Sequence, residues 1–400
     1  MTKTMLATAI AALAACGFAT LALAQQTPPA PAAAPPVPPL AYHLSPYLPH
    51  DVFAPLAGTI DLQPAMDYLS WEVFIALNWP ASEIENGVPD TNTVVGGQEV
   101  TNYYPKGLRA SPTVWETFKD SNDIFLPNAK PPTPFSAKTQ HVLFDDTESF
   151  TKSPLNDQNG RHVYYEVRMN EVEFNYIVNH KLYDSNNQKP PFVISFPPGN
   201  NATRAAGSVH VKAAWKILNI DGPGQRDDPG RFYTARALIY TPGRPSAFLA
   251  TVGLVGMHIA HKTATRPEWI WSTFEQVDNA ADIPQKPGQP IPPPPNPPNQ
   301  YSFTDWNCPV EKCPPPNQQV PQTSNQPVQV LRVTPIVDTK MLNAQFQLAL
   351  RTWNPKNVWQ YYQLVSTQWP SQPGNTTAFG EPRPKYLANT VIEQAHITLD

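Results

Sequence analysis

The chain has 400 residues, a formal net charge of -4 and a charged fraction of 15%. Non-specific binding of nucleic acid requires a basic footprint, so this charge balance argues against that class of function. The 50 prolines and 10 tryptophans are the unusual part of the composition. Prolines at this density indicate long ordered loops and linkers, and so many aromatic side chains must be buried or line a groove.

Residues 1–24 have the pattern of an export signal. Lys3 supplies a short positive region, an apolar run follows, and the small residues at 22–24 form a cleavage site. We therefore predict a periplasmic or secreted protein. An alternative is that LAACG at 13–17 acts as a bacterial lipid-attachment motif, which would place a lipid on Cys16. No later stretch is apolar for long enough to span a bilayer, so membrane contact is expected only through that anchor.

Changes in composition divide the rest of the chain. Residues 25–50 are rich in proline and alanine and predict an extended spacer. Residues 51–283 are expected to form the main α+β domain. Residues 284–328 are a proline-rich insertion, interpreted as a surface excursion that a disulfide pins, and 329–400 complete the same domain.

The sequence pattern alternates between helices and strands. Helical spacing of apolar residues and capping signals predict helices over 64–77, 111–118, 170–183, 338–351 and 386–394. Segments rich in Val, Ile, Tyr, Phe and Trp predict strands over 161–169, 191–196, 207–218, 231–240, 247–262, 269–277, 329–336 and 358–367. Short turns between successive strands predict an α+β fold with a dominant antiparallel sheet, a sandwich or a curled sheet, and peripheral helices.

Besides Cys16, the chain contains only Cys308 and Cys313, in WNCPVEKCPPP. In an oxidising compartment these two cysteines are expected to form one small-loop disulfide. A zinc site would need two further ligands nearby, and no histidine lies between Lys262 and His396. The chain also lacks the C-x-x-C-H motif that attaches haem c, so the sequence specifies neither a metal nor another cofactor.

The segment 253–279, GLVGMHIAHKTATRPEWIWSTFEQVDN, carries the strongest candidates for chemistry. His258 and His261 would point to opposite faces of a strand but would share one face of a helix. The surrounding Val, Ile and Gly favour a strand, which makes a shared metal site the weaker interpretation. Each histidine stays a candidate metal or haem ligand, a candidate acid–base group in a pocket, or an ordinary hydrogen-bonded side chain.

The sequence WIWSTFE alternates so that Trp269, Trp271, Thr273 and Glu275 share one face of a strand. Aromatic rings beside a carboxylate are typical of a groove for carbohydrate or another planar ligand. An ordinary edge of the core, with Glu275 paired to a lysine or an arginine, would give the same pattern. We take Trp269, Trp271 and His261 as candidate ligand-binding residues.

A polar patch is expected where this strand meets its neighbours. His210, Lys212 and Lys216 share one face of the predicted strand 207–218. If that strand and the two predicted over 247–262 and 269–277 are adjacent, Lys212, His258 and Glu275 meet, and we take these three as candidate catalytic residues. The alternative is a solvated polar face, which is normal for one side of an antiparallel sheet.

Two other carboxylates, Glu116 and Glu166, lie beside aromatic residues and would have acid–base potential as a pair. Nothing in the sequence brings these two residues together. No G-x-S-x-G elbow, P-loop, dinucleotide fingerprint or H-E-x-x-H motif is present. These absences argue against hydrolases, kinases, dehydrogenases and zincins of the usual kinds.

Several phrases of the sequence, among them SWEVFIALNWPA, VHVKAAWKIL, GMHIAHKTATRPEWIWSTFEQVDN and YLANTVIE, resemble a family of exported bacterial proteins. The members of that poorly characterised family are described as cytochrome c family proteins. The resemblance runs from residue 68 to residue 393 and implies a role near extracytoplasmic redox chemistry, with a periplasmic redox partner. Members usually continue after the L-A-N-T segment into a C-x-x-C-H site, whereas VIEQAHITLD follows here, so the resemblance implies either a haem-free relative or a truncated product.

These observations lead to three hypotheses about function. The first, which follows from the resemblance, is an exported protein that acts beside a cytochrome. The second is a binding module for a carbohydrate or another small extracellular ligand, which the tryptophans suggest. The third is a secreted enzyme that uses the patch of Lys212, His258 and Glu275.

Overall fold

The computed structural model describes residues 44–52, 62–91, 94–95, 98–99, 112–137, 140–147, 153–221, 226–241, 245–284, 286, 288–295, 300–309, 311–321, 323–333, 335–370, 382–383 and 387–393. The predicted export signal, with Cys16, lies outside these residues, as does most of the predicted spacer.

The described residues form α-helices, short 3₁₀ turns and strands. The helices are α1 (Gln63–Leu77), α2 (Ser121–Ile124), α3 (Glu171–Asn179) and α4 (Lys340–Trp353). The 3₁₀ turns are Trp115–Thr117, Pro127–Ala129, Ser185–Gln188, Pro229–Arg231 and Val358–Tyr361. The strands are β1 (Val94–Val95), β2 (Gln98–Glu99), β3 (Lys119–Asp120), β4 (His141–Leu143), β5 (Val163–Met169), β6 (Val209–Ile217), β7 (Thr234–Ile239), β8 (Phe248–His261), β9 (Ile270–Gln276), β10 (Ala281–Asp282), β11 (Leu331–Arg332), β12 (Tyr362–Pro370) and β13 (Pro382–Arg383).

One nine-stranded sheet dominates the fold. Its main path runs β13-β12-β9-β8-β6-β5-β3, and every neighbouring pair on that path is antiparallel. The long strand β8 pairs with β7 near its start and with β9 near its end, and β4 pairs in parallel with β7. The sheet curls, and the predicted α+β class with a dominant antiparallel sheet is confirmed.

The main hydrophobic core lies between one face of the sheet and the helices α1 and α4. The ring centroids of Trp71 and Phe74, both on α1, lie 5.1 and 4.1 Å from that of Phe274 on β9. Phe346 on α4 stacks on Trp71 at 4.8 Å. Each fully buried ring stabilises the fold by about 2 kcal/mol. We call this helix-covered side the near face.

The opposite side, which we call the far face, carries Lys212, His258 and Thr273. A second buried cluster covers part of it, built from Tyr165, Val163, Ala214, Val255, Phe303, Val330, Val391 and Ile392 among others. Phe303 comes from the proline-rich insertion and is fully buried. The insertion is therefore not only a surface excursion, because its aromatic residues supply part of the core.

The other differences from the predicted elements have local causes. Residues 191–196 form no strand in the structure, since prolines on both sides lack the N–H groups that a ladder requires. Residues 387–393, the described part of the helix predicted over 386–394, form no helix: residues 387–389 are irregular and residues 390–392 form a turn. There the Asn389 side chain accepts a hydrogen bond from Val391 N, and such local side-chain bonds compete with helix formation. The predicted strand 329–336 shortens to β11.

Candidate functional site

Three adjacent strands bring the sequence-predicted polar residues to the far face. Lys212 on β6 lies opposite His258 on β8, and His258 lies opposite Thr273 on β9. Glu275 is on the same face, one pair further along, opposite Gly256. The strands that carry Lys212, His258 and Glu275 are therefore neighbours, as the patch hypothesis required.

The carboxylate that binds His258 is nevertheless not that of Glu275. His258 Nε2 lies 2.7 Å from Oε1 of Glu393, in the segment of residues 387–393 that we call the C-terminal segment. Glu393 Oε2 accepts a hydrogen bond from the backbone N–H of Asn389 at 3.0 Å. Burial alone would raise the pKa of Glu393, but the charges of His258 and Lys212 and these hydrogen bonds lower it overall.

Glu275 instead binds β11 and the C-terminal segment. Its carboxylate accepts hydrogen bonds from Arg332 Nη2 at 2.5 Å and from the backbone N–H of Thr390 at 2.6 Å. Glu275 is fully buried, so this pairing with an arginine matches the ordinary core edge considered from the sequence. An enzyme that used His258 would have Glu393, not Glu275, as the carboxylate beside it.

The C-terminal segment docks on the far face through specific contacts. Asn389 Nδ2 donates to Thr273 Oγ1 at 2.9 Å, and Tyr165 Oη donates to the Val391 carbonyl at 2.9 Å. Gly256 makes this approach possible, because a Cβ at that position would lie 2.5 Å from Val391 Cγ2. The segment therefore lies directly on the middle strands of the sheet.

An aromatic group continues the far face beyond His258. The Trp269 and Trp271 ring centroids lie 4.7 and 5.4 Å from that of His210, and all three side chains are partly exposed. Trp269 also contacts Phe196 at 5.9 Å, and Lys262 Nζ lies 5.3 Å from the Trp269 ring centroid. Trp269 is thus held on several sides, whereas Trp271 is the better placed of the two to meet a ligand.

His261 does not belong to this surface. His261 pairs with Val209 on β6 and with Ile270 on β9, and its side chain points to the near face. His258 and His261 therefore lie on opposite faces, as expected for residues three apart in a strand. His261 is 2% exposed, and neither ring nitrogen has a hydrogen-bond partner within the described part of the chain. Burial lowers the pKa of His261 to about 4, so the ring is neutral at pH 7.

A cavity of about 380 Å³ lies at the β5 side of the sheet. Its lining combines carboxylates, hydroxyls and an exposed phenyl ring, from Ser121, Asn122, Phe144, Asp145, Asp146, Thr147, Tyr165, Glu166 and Val167. Val167 lies opposite Lys212 in the sheet, and Lys212 Nζ is 5.1 Å from the Tyr165 ring centroid. The cavity therefore adjoins the row that carries Lys212 and His258.

A second, buried polar cluster lies on the near face and joins Glu116 to Glu166. His141 Nε2 lies 2.7 Å from Glu116 Oε1, and His141 Nδ1 lies 2.8 Å from Glu166 Oε1. Both ring nitrogens face carboxylates, which raises the pKa of His141 despite its burial. The structure therefore brings Glu116 and Glu166 together through His141. That histidine had no signal in the sequence, because no pattern marks a single histidine at the start of β4.

Further groups complete the buried cluster. Arg168 Nε donates to Glu166 Oε2 at 3.0 Å, Trp215 Nε1 donates to Glu166 Oε1 at 2.8 Å, and the Tyr233 hydroxyl donates to Glu116. Burial alone would raise the pKa of Glu166, but Arg168 and His141 hold it at about 2. All these side chains are buried. The cluster therefore acts as a structural network that joins β4, β5, β6 and the Trp115–Thr117 turn.

Other predicted features have simple outcomes. Cys308 and Cys313 lie at disulfide-bond distance, with their Cα atoms 5.4 Å apart. Among the described residues, no group of three or more His, Cys, Asp or Glu side chains is placed to hold a metal ion. The described helices include none long and apolar enough to cross a bilayer.

Comparison of the chain with protein-family models, with curated proteins and with solved structures finds no match in any of the three sets. The relationship to the cytochrome c family and the exported location therefore stay predictions from the sequence.

Proposed function

We propose that this protein is an extracytoplasmic carbohydrate-binding module whose ligand lies across the far face, over Trp271. The observation that carries the proposal is the partly exposed Trp271 ring beside a row of polar side chains on neighbouring strands. An indole ring presents apolar surface to the C–H face of a sugar ring, while side chains at its margins bond the hydroxyls.

Polar groups flank Trp271 on the adjacent strand. Gln368 on β12 lies opposite Trp271, and Ser366 lies opposite Thr273; both are partly exposed. An amide both donates and accepts hydrogen bonds, and so does a hydroxyl, which suits the mixed donors and acceptors of a sugar. On the other side of β9, His210 and Lys212 add ring nitrogens and an ammonium group.

The surface also has the length for an extended ligand. Trp271 on β9 shares a cross-strand row with Ala260, His210 and Met169. Three interstrand spacings separate β9 from β5 along this row, a span of about 14 Å at the usual strand separation. The cavity beside Val167 on β5 lies at the far end of that span. A short oligosaccharide fits these dimensions better than a single sugar ring does.

The direct test is a binding screen on immobilised neutral and acidic oligosaccharides with the wild type and the Trp271→Ala variant. We expect the wild type to bind at least one class of glycan and Trp271→Ala to bind at least about tenfold more weakly, because central tryptophans dominate such contacts. Trp306→Ala is the matched control, since Trp306 is partly exposed in the proline-rich insertion, where its Nε1 donates to Gln300. Equal weakening in both variants, or no glycan binding by the wild type, would refute the proposal.

A further inference from the structure

The ligand class can be narrowed further, on the basis of the proposed carbohydrate function. We infer that the ligand is an acidic sugar whose carboxylate binds His258 and Lys212, and that Glu393 of the C-terminal segment holds that position in the unliganded protein.

The charged side chains of the far face support this inference. Lys212 and His258 lie directly opposite each other on β6 and β8. Glu275, the nearest carboxylate on the sheet itself, is taken by Arg332. One row away, Glu173 lies 3.4 Å from His210 and so belongs to a different pair. Glu393, which comes from outside the sheet, bonds His258 in this row, and the charge of Lys212 also acts on its carboxylate.

The second argument is the unfilled hydrogen-bonding capacity of His258. The residue is 8% exposed, and its Nδ1 has no hydrogen-bond partner among the residues that the structure describes. An unsatisfied buried nitrogen costs about 1–3 kcal/mol, and a ligand hydroxyl or carboxylate that reached it would recover that energy. The site thus offers more bonding positions than Glu393 fills.

The third argument is that Glu393 sits where an external anion could replace it. The side chains of His258 and Glu393 keep 10% and 11% exposure, so the pair lies at the edge of the covered area. Residues 387–393 form turns, and no ladder of strand hydrogen bonds ties them to the sheet. Exchange of one carboxylate for another keeps the charge of the row unchanged, which lowers the cost of the exchange.

If the inference is right, an acidic and a neutral glycan should differ in affinity, and Glu393 should weaken the binding of the acidic one. Trigalacturonate should bind the wild type more tightly than galactotriose, its neutral counterpart. In Glu393→Gln the competing charge is absent but the side chain keeps its shape. Trigalacturonate should therefore bind this variant about tenfold more tightly than it binds the wild type. Galactotriose binding should change by less than about twofold.

Isothermal titration calorimetry with both trisaccharides measures these affinities, and Glu171→Gln at an exposed position of α3 is the control with the same change of charge. NMR of the His258 ring gives a second readout, because trigalacturonate should shift its resonances and galactotriose should not. If the trisaccharides bind equally in every variant while Trp271→Ala still weakens both, the inference is wrong and the carbohydrate function stands. If neither trisaccharide binds the wild type or Glu393→Gln although another glycan of the screen does, the inference is wrong and the carbohydrate function stands; if no glycan of the screen binds, both are wrong.

Discussion

His258 and Glu393 are 135 residues apart in the chain, yet His258 Nε2 lies 2.7 Å from Glu393 Oε1. This ion pair joins the C-terminal segment to the middle strand of the sheet. The pKa of Glu393 is lowered in the folded protein, so the pair contributes stability above the usual carboxyl pKa of 4.5 and loses it as the pH falls through the lowered value.

Acid should therefore release the C-terminal segment before it unfolds the sheet. As the pH falls below 4.5, we expect amide hydrogen exchange in residues 387–393 to become faster than in β8, measured by mass spectrometry. In Glu393→Gln the segment should exchange faster than in the wild type at pH 7, while the docked form of the segment stays the more populated one. Equal protection of the segment in the variant and the wild type at pH 7 would show that the ion pair does not hold it.

Gly256→Ala should displace the same segment by steric means. The added methyl group would lie 2.5 Å from Val391 Cγ2 and 3.1 Å from Asn389 Oδ1, so the segment must shift while β8 keeps its pairing. We expect limited proteolysis to cut near residue 390 in this variant while the rest of the protein stays folded. Gly230→Ala, where the methyl group would meet only the Asp228 side chain, is the control.

His261→Leu should change how stability depends on pH. Burial lowers the pKa of His261 from 6.5 to about 4. Between these two pH values the unfolded chain binds a proton at His261 and the folded protein does not. The contribution of His261 to the free energy of unfolding is therefore highest above pH 6.5 and decreases as the pH falls toward 4. The wild type should lose on the order of 3 kcal/mol of unfolding free energy over that interval through His261, and the variant should not. Denaturant titrations from pH 8 to pH 4 measure the difference.

The control for that experiment is His180→Leu, at the exposed end of α3. Its stability should follow the wild-type pH dependence. Parallel curves for His261→Leu and the wild type would contradict the burial of a neutral histidine at this position.

Glu166→Gln should destabilise the buried cluster. The change leaves Arg168 and His141 without one of their anions, which costs about 3 kcal/mol in a buried site. Because the pKa of Glu166 is held at about 2, the difference from the wild type should be full above pH 4.5 and shrink as the pH falls toward 2. Thermal unfolding across this range tests the expectation, and a loss below about 0.5 kcal/mol at pH 7 would argue against a structural role.

The sequence predicts the structure well where the alternation of side chains along a strand decides on which face each residue lies. Alternation along 269–275 predicts that Trp269, Trp271 and Glu275 share one face. The contact of Lys212 with the His258 row is conditional on strand adjacency, because β7 lies between β6 and β8 in the chain, and the structure shows that β6 and β8 do pair. Periodicity says nothing about contacts between distant segments, so Glu393 could not be identified as the partner of His258. For the same reason, the composition of the proline-rich insertion hid the burial of Phe303.

The buried cluster shows the same limit more sharply. Glu116, His141 and Glu166 come from a 3₁₀ turn and two strands, and β4 reaches this place only by pairing in parallel with β7. A crossover of that kind leaves no mark in local sequence spacing. The two glutamates were noticed because they lie beside aromatic residues, but the histidine that joins them had no such signal.

The measurement that tests the binding surface most directly is hydroxyl-radical footprinting with trigalacturonate and with galactotriose. We expect a bound trisaccharide to lower the oxidation of Trp271 and to leave that of Trp306 unchanged, because Trp271 lies in the proposed binding surface whereas Trp306 packs against a different buried cluster. Protection of Trp306 with no change at Trp271 would contradict the account, as would unaltered oxidation of both residues at a saturating concentration of ligand.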